Sequence, residues 1–378
     1  MLTEHFFSDN RYAFIIDALK KAELASGARV YLVGGAVRDL LLDRAVSDLD
    51  FVVFGFPYEQ FAKKAARLMG SHAVAFKQNR RIPYNKGYID ISEPRGETLS
   101  QDLLKRDFTI NNLAIGLDGE ITGNTSDLEA GLIRPVHKEI FDDDPLRLLR
   151  GFRQAAALSF TLTEEFLRLA RLKVPLIKTT AAERITAELR KLCGAPSLHI
   201  YREMNNISLW EAVLGFKPDE ALLLKAAKIA TQFPPESGFA LFLAASGAEN
   251  FKRLSLDLSG NERKTATLLA NFSLSEKESV LRETVWKNYE NFSLLKAIVE
   301  LKGLDKDIFA CYERFYEKLE PSRAMLVTGD DLLALAPTKP KGGWIAKILT
   351  DVKIKLAVGE LMTRQEALNA LGQSVDKV

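Results

Sequence analysis

A pair of glycines between a β-branched run and a helical pattern, followed by two aspartates one residue apart, limits what this chain can fold into more than any other feature. Leu32-Val33-Gly34-Gly35-Ala36-Val37-Arg38-Asp39 reads as a strand that stops at the glycines and opens a helix. Glycines at such a turn let backbone amides approach a phosphate closely, and the helix N-terminus favours the anion. Arg38, one turn in, can add a bidentate phosphate contact. In Asp48-Leu49-Asp50, on the strand that follows, the two carboxylates leave the same face. Hard carboxylates that close repel one another without a cation, and Mg²⁺ with its waters and substrate phosphates is the usual one. Either piece alone is common in unrelated proteins. Together they place a triphosphate cradle beside a metal pair, an arrangement suited to activating a hydroxyl and stabilising leaving pyrophosphate.

The chain has 378 residues, more than one hydrophobic core usually serves. Short strand-like runs fill its first part: 29–33, 48–54, 73–76, 88–91, 110–117 and 132–135. Helical patterns lie between them at 36–42 and 58–69, the latter with Phe61, Ala65, Leu68 and Met69 on one side. After Asp142 the texture changes and helical periodicity runs to the end, with Leu146, Leu149, Ala156 and Leu158 in one helix and Phe166, Leu169 and Ala170 in the next. Breaks at Phe233-Pro234-Pro235, near Ser259-Gly260 and at 337–343 mark joints in the helical part.

A net charge of +2, from 52 basic against 50 acidic residues, excludes a nucleic-acid binder of the overwhelmingly basic type and leaves room for a locally basic groove. Cys193 and Cys311 match neither a disulfide framework nor metal-ligand spacing and read as reduced thiols. The first ten residues lack the basic head and apolar run of a signal peptide, and no apolar stretch reaches membrane-spanning length. A cytoplasmic protein without membrane contact is expected. Nothing in the sequence specifies an oligomer.

The residues 34–39 with Asp48-Leu49-Asp50 resemble the first motif of the class II nucleotidyltransferases, the family of bacterial and eukaryotic CCA-adding enzymes and bacterial poly(A) polymerases. Lys105-Arg106-Asp107-Phe108-Thr109-Ile110-Asn111-Asn112 resembles its second motif, R-R-D-F-T-x-N-A. Asp143-Asp144-Pro145-Leu146-Arg147-Leu148-Leu149-Arg150 resembles the E-D-P-x-R-x-x-R element, and Glu183-Arg184-Ile185 with Glu188 and Lys191 the helix after it. Fainter similarity returns at 328–332 and 362–367. The resemblance implies an α+β fold: a polymerase-β-like nucleotidyltransferase head with a mixed sheet over 1–141, then an all-α neck over 142–200, body over 201–325 and tail over 326–378.

It also implies roles for single residues. Asp48 and Asp50 become the catalytic metal ligands for Mg²⁺, with Gly34, Gly35 and Arg38 on the triphosphate. Asp90, where superfamily members carry a third strand carboxylate, becomes a further catalytic group or metal ligand, against the plain alternative of a strand-end aspartate. Arg106 and Asp107 take the ribose, although Asp107 could instead brace a turn. Asp144 and Arg147 read the base edge, accepting from the exocyclic amine of C or A and donating to the neighbouring acceptor. Arg150 and Arg153 follow Arg147 on one broad helix face, for nucleotide or RNA phosphate or simply for solvent. Lys105 and Asp143 depart from the motif, the first losing the guanidinium fork and the second a methylene. The four histidines, His5, His72, His137 and His199, form no ligand spacing.

The expected activity is addition of CMP and AMP from CTP and ATP to the 3′ end of tRNA without a nucleic-acid template, with the helical region on the tRNA acceptor arm. Its rivals are CC-only addition, poly(A) synthesis and, from another class, a catalytically inert RNA-binding protein. Between the strand that ends at Ile91 and Lys105 lies only the segment 92–104, where complete CCA-adding relatives carry a longer loop. That shortness raises CC-only addition. The base-reading pair and the tail still favour complete CCA.

Overall fold

Valine, isoleucine and aromatic residues concentrate in short runs before residue 141, and there the chain builds a seven-stranded mixed sheet. The structure is a computed structural model that describes residues 12–46, 48–85, 87–247, 251 and 254–375; His5 and the N-terminal residues read above lie outside it. The elements in order are α1 (Ala13–Ser26), β1 (Arg29–Val33), α2 (Gly35–Leu41), β2 (Leu49–Phe54), α3 (Tyr58–Leu68), β3 (Val74–Phe76), β4 (Asn79–Tyr84), β5 (Gly87–Ser92), α4 (Leu99–Leu104), β6 (Ala114–Gly116) and β7 (Ile121–Thr122). The sheet order is β3-β4-β5-β2-β1-β6-β7. Only β2 and β5 run parallel in it, and that pairing sets Asp50 opposite Asp90. Central β2 is buried at Leu49, Phe51, Val52 and Val53, as a strand covered on both faces should be. On α3, Phe61 and Ala65 face the core as the spacing predicts, whereas Leu68 at its end turns outward.

Two expectations need correction. The run 110–117 is not one strand: Thr109–Asn111 is a 3-10 turn and β6 is confined to Ala114–Gly116. The Asn111 amide hooks back onto the Asp107 carboxylate at 2.7 Å, and the Asn111 and Asn112 N–H groups bond to Phe108 and Thr109, which closes the turn before the strand starts. Strand β4 is unexpected because Arg80, Arg81 and Pro83 spoil its pattern. Pro83 lies past the end of β3, where β4 has a neighbour on one side only, the place a proline is tolerated.

After a short helix α5 (Ser126–Glu129), β8 (Leu132–Ile133) pairs in parallel with β9 (Thr161–Leu162) in a separate two-stranded sheet. Strand β9 is the only described strand after Asp142. The other elements are helical: α6 (Ile140–Asp143), α7 (Arg147–Leu158), α8 (Glu164–Lys173), α9 (Ala182–Cys193), α10 (Leu198–Asn206) and α11 (Leu209–Leu214). Phe166 of α8 is the centre of this packing, with Phe108, Phe141 and Phe152 at 5.8, 5.4 and 5.4 Å between ring centroids. The mixed sheet followed by a long helical region is the architecture of a polymerase-β-like nucleotidyltransferase.

The chain folds as two compact units, Met1–Pro218 with Ser255–Asp257, and Asp219–Leu254 with Leu258–Val378. Every described secondary-structure element of the second unit is a helix. One of its cores gathers Leu241, Leu295, Ile298, Phe309 and Tyr312. Another joins Val327, Leu332, Val352, Leu356, Ala367 and Leu371. The two stretches with fainter family similarity meet in this unit, where Arg364 pairs with Asp331 at 2.6 Å.

Candidate active site

The turn after β1 is built as the glycines require. Gly34 has φ 73°, a conformation open to glycine at little cost, and a Cβ there would lie 3.0 Å from Arg106 Nη1. Gly34, Gly35 and Ala36 line a cleft of about 730 Å³ within the first unit. Among the described residues nine basic side chains line it against five aspartates, so the cleft attracts a polyanion although the whole chain is nearly neutral.

Asp48 and Asp50 both face this cleft. The Tyr88 hydroxyl donates to Asp48 Oδ1 at 3.1 Å. Reduced solvation inside the cleft first, then the Asp90 and Asp48 carboxylates, raise the pKa of surface-accessible Asp50 above its ordinary value, with Arg106 and Arg81 opposing. Crowded negative charge of this kind is the setting in which a cation binds. Among the described residues no group of three or more His, Cys, Asp or Glu side chains is arranged to hold an ion alone. A pair of carboxylates completed by water and substrate phosphate is the usual Mg²⁺ arrangement, so the residues present fit that ion.

Asp90 lies beside this pair but does not line the cleft. Arg81 Nε and Nη2 donate to its two oxygens, both at 2.8 Å. The Arg81 guanidinium is itself held between the rings of Phe76 and Tyr88, 3.4 and 3.5 Å from their centroids.

Behind the glycine turn the second motif and α7 close a polar network. Asp107 is buried and receives Arg150 Nε and Nη2 at 2.9 and 2.7 Å, Asn111 Nδ2 at 2.7 Å and the Phe108 N–H at 3.0 Å. Burial alone would raise its pKa; the Arg150 charge and these hydrogen bonds outweigh it and hold the carboxyl below the usual range. Its oxygens are thus occupied by protein donors, the bracing arrangement, and a sugar hydroxyl would have to displace one of them. Arg106 also lines the cleft: its Nη2 pairs with buried Asp102 at 2.7 Å, and its Nε is buried without a protein partner. Arg38 reaches the cleft wall with its guanidinium committed inward, to Asp39 at 2.9 and 3.0 Å, Asn111 at 2.8 Å and Gln154 at 3.1 Å.

Asp144 and Arg147 come together on the cleft, at the entry to α7. Asp144 pairs with Arg184 of α9 at 2.7 Å and accepts from the Leu146 N–H at 3.2 Å. Arg147 donates to the Lys105 carbonyl at 2.9 Å and reaches Asp143 at 3.4 Å. Arg150 and Arg153 also face the cleft, with Arg153 bonded to buried Glu188 at 2.6 Å. Sequence reading misses Gln154, Arg95 and Arg44 on this wall. Gln154 sits seven residues after Arg147, a spacing that returns to the same helix face and could have singled it out.

The connection from β5 to the second motif is short and tied down. The Arg95 N–H donates to Asp102 at 2.8 Å, Lys105 Nζ bonds back to the Arg95 carbonyl, and Thr98 with Gln101 forms a capping box on α4. Arg95 itself lines the cleft.

The model of the poly A polymerase head domain matches residues 30–134, the segment that carries the glycine turn, Asp48, Asp50 and Asp90. A CC-adding tRNA nucleotidyltransferase of Synechocystis sp. is 40% identical over 173 residues, 44% of this chain and 42% of that relative. The CC-adding tRNA nucleotidyltransferase of Halalkalibacterium halodurans is 28% identical over 86% of this chain and 88% of its own length. Among solved structures, a tRNA nucleotidyltransferase complexed with a primer tRNA and an incoming ATP analog superposes with a TM-score of 0.61 at 26% identity, covering 80% of this chain and 98% of that one.

Proposed function

We propose, for a chain that belongs to the class II nucleotidyltransferase family, that it extends the 3′ end of tRNA with nucleotides drawn from CTP, and from ATP where addition is complete, without a nucleic-acid template. The observation that carries this reading is the convergence on one basic cleft of the glycine turn, the Asp48–Asp50 pair and the Asp144–Arg147 pair. Mg²⁺ on Asp48 and Asp50 would polarise the α-phosphate and stabilise the leaving pyrophosphate. The Gly34 N–H is bonded to the Leu113 carbonyl at 3.2 Å, so the Gly35 amide at the start of α2 is the one that serves the triphosphate, and Arg106 serves the sugar. Asp144 accepts from the exocyclic amine of C or A and Arg147 donates beside it. U and G present the opposite groups and would leave one of the pair unpaired. The helical region serves as the RNA-binding part, reading the acceptor arm by shape.

On sequence alone complete CCA addition is favoured, and the pinned connection moves the proposal towards addition that stops at CC. Passing from C to A in one pocket requires the reading pair or its surroundings to shift. A six-residue link between β5 and α4, bonded to Asp102, Gln101 and Lys105, is poorly suited to drive that shift. Relatives described as CC-adding and relatives described as CCA-adding both match this chain, so the short link alone carries this part of the reading.

The deciding experiment supplies each labelled triphosphate, alone and in combination, to tRNA lacking CCA, tRNA ending in C and tRNA ending in CC. Two CMP additions followed by arrest, with no AMP added to the CC end, is expected. Completion to CCA would refute the arrest and keep the activity. AMP runs on unrelated RNA would point to poly(A) synthesis, and no incorporation with Mg²⁺ to an inert RNA-binding protein.

A further inference from the structure

Gln154 is 2% exposed, yet it is polar and no step of the proposed reaction uses it. Its Oε1 accepts from Arg38 Nη1 at 3.1 Å and from Asn111 Nδ2 at 2.9 Å, while Nε2 points to Asp107 Oδ2 at 3.4 Å. A neutral amide is the one side chain of this size that supplies both an acceptor for two N–H groups and a donor for a carboxylate. An apolar residue would fill the same volume, so packing alone does not call for glutamine here.

The three partners belong to two segments, neither of them α7. Arg38 is on α2 directly after the glycine turn, close enough that a Cβ on Gly35 would sit 3.5 Å from its Nη2. Asn111 and Asp107 belong to the second motif. Gln154 itself lies on α7, whose first residue is Arg147. A helix is stiff along its axis, and the seven residues from Arg147 to Gln154 span about 10 Å. A shift at Gln154 is therefore carried to Arg147 with little loss.

We infer that Gln154 is a positioning residue for base selection: its amide fixes the register between Arg147, the base reader that opens α7, and the phosphate-holding turn that opens α2. The inference rests on the assignment of Asp144 and Arg147 as the base readers. Hydrogen bonds to a base edge weaken steeply with misalignment, whereas contacts to a triphosphate, spread over many oxygens, tolerate it. Loss of the register should reduce discrimination among bases and spare phosphate affinity.

Gln154→Met keeps the volume and removes both hydrogen-bonding functions. Gln154→Asn keeps a polar amide, and hence a route to folding, but is a methylene too short to reach Arg38 and Asp107 together. Binding of CTP, UTP and inorganic tripolyphosphate to the full chain with Mg²⁺ separates base from phosphate recognition, and a thermal melt monitors folding. In both variants CTP should bind about tenfold more weakly, the loss of a hydrogen bond or two, with tripolyphosphate affinity unchanged, so that preference for CTP over UTP collapses. Unchanged CTP preference in a folded variant overturns the inference. So does a parallel fall for CTP and tripolyphosphate, which would make Gln154 a support of the phosphate turn alone. A wild-type protein that binds tripolyphosphate without preferring CTP to UTP would remove the base-reading assignment itself, and that shows before either variant is measured.

Discussion

Asp90 stands opposite Asp50 across the parallel β2–β5 pairing, and Arg81 holds both of its carboxylate oxygens at 2.8 Å. Asp48, Asp50 and Asp90 are therefore not equivalent. Asp48→Ala and Asp50→Ala should each abolish nucleotide incorporation without lowering the melting temperature, because each removes charge from a crowded site. Asp90→Asn instead weakens the bidentate pair on half-buried Arg81 and should cost about 1–3 kcal/mol of stability. Turnover by Asp48→Ala or Asp50→Ala near the wild-type rate would dismiss the metal assignment; a neutral Asp90→Asn would dismiss the bracing role of Arg81.

The base-reading pair makes a second prediction. Asp144→Ala and Arg147→Ala each delete one half of the edge, and each missing base contact is worth roughly 1–3 kcal/mol of discrimination. Incorporation of UMP and GMP should rise relative to CMP by more than CTP binding falls. Asp144→Ala also frees Arg184, which strengthens the cleft's attraction for phosphate and separates the two effects further. Four-way competition among the triphosphates checks this, and an unchanged preference in both variants would place selection elsewhere.

What the sequence made legible was local. The strand, glycine turn, helix and Asp-x-Asp strand form from neighbours in the chain, so their pattern reads directly from 29–54. Strand β4 was hidden because Arg80 and Arg81 face partners supplied from elsewhere, Glu59 and Asp90. Arg38 reads as a phosphate ligand, and nothing in the sequence shows that the fold also brings Asn111 and Gln154 to its guanidinium. Asp107 reads as a sugar contact or a brace, and its pairing with Arg150, far along the chain, leaves no mark in the sequence. Long-range polar pairing leaves no period in a sequence, and these assignments depend on it.

Gly151 shows the same limit in packing. It sits inside α7, where glycine weakens a helix by about 1 kcal/mol relative to alanine. A Cβ there would lie 2.3 Å from Phe166 Cε2 and 2.4 Å from Cζ, so the glycine admits the ring at the centre of the aromatic cluster. Gly151→Ala should therefore destabilise by about 1–3 kcal/mol, the usual cost of overpacking, despite its better helix propensity. Adding Phe166→Leu should recover part of that loss. Urea midpoints measure both, and a stabilised Gly151→Ala would mean that Phe166 moves aside freely.

The Asp107–Arg150 pair predicts how the first unit responds to acid. Asp107 has a lower pKa folded than unfolded, because Arg150 and its other donors overcome the burial that would raise it. Above the unfolded value, near 3.9, the folded state carries the full benefit of the ionised carboxyl, and below it the unfolded state begins to bind the proton first. Stability should thus fall as pH drops from about 4 towards the folded value, and Asp107→Asn should lose this part of the acid response. At neutral pH that substitution weakens a charged hydrogen-bonded pair and should cost roughly 1.5–3 kcal/mol, a gap that narrows as acid protonates the wild type. Trp210 is buried in the first unit, while Trp286 and Trp344 belong to the second, so replacing the latter two by phenylalanine leaves a reporter for the unit in question. Urea unfolding of that reporter protein at a series of pH values, with and without Asp107→Asn, provides the measurement. Parallel curves down to pH 3 would mean that Asp107 titrates alike in both states, and the network around Arg150, Asn111 and Gln154 would then not hold its charge.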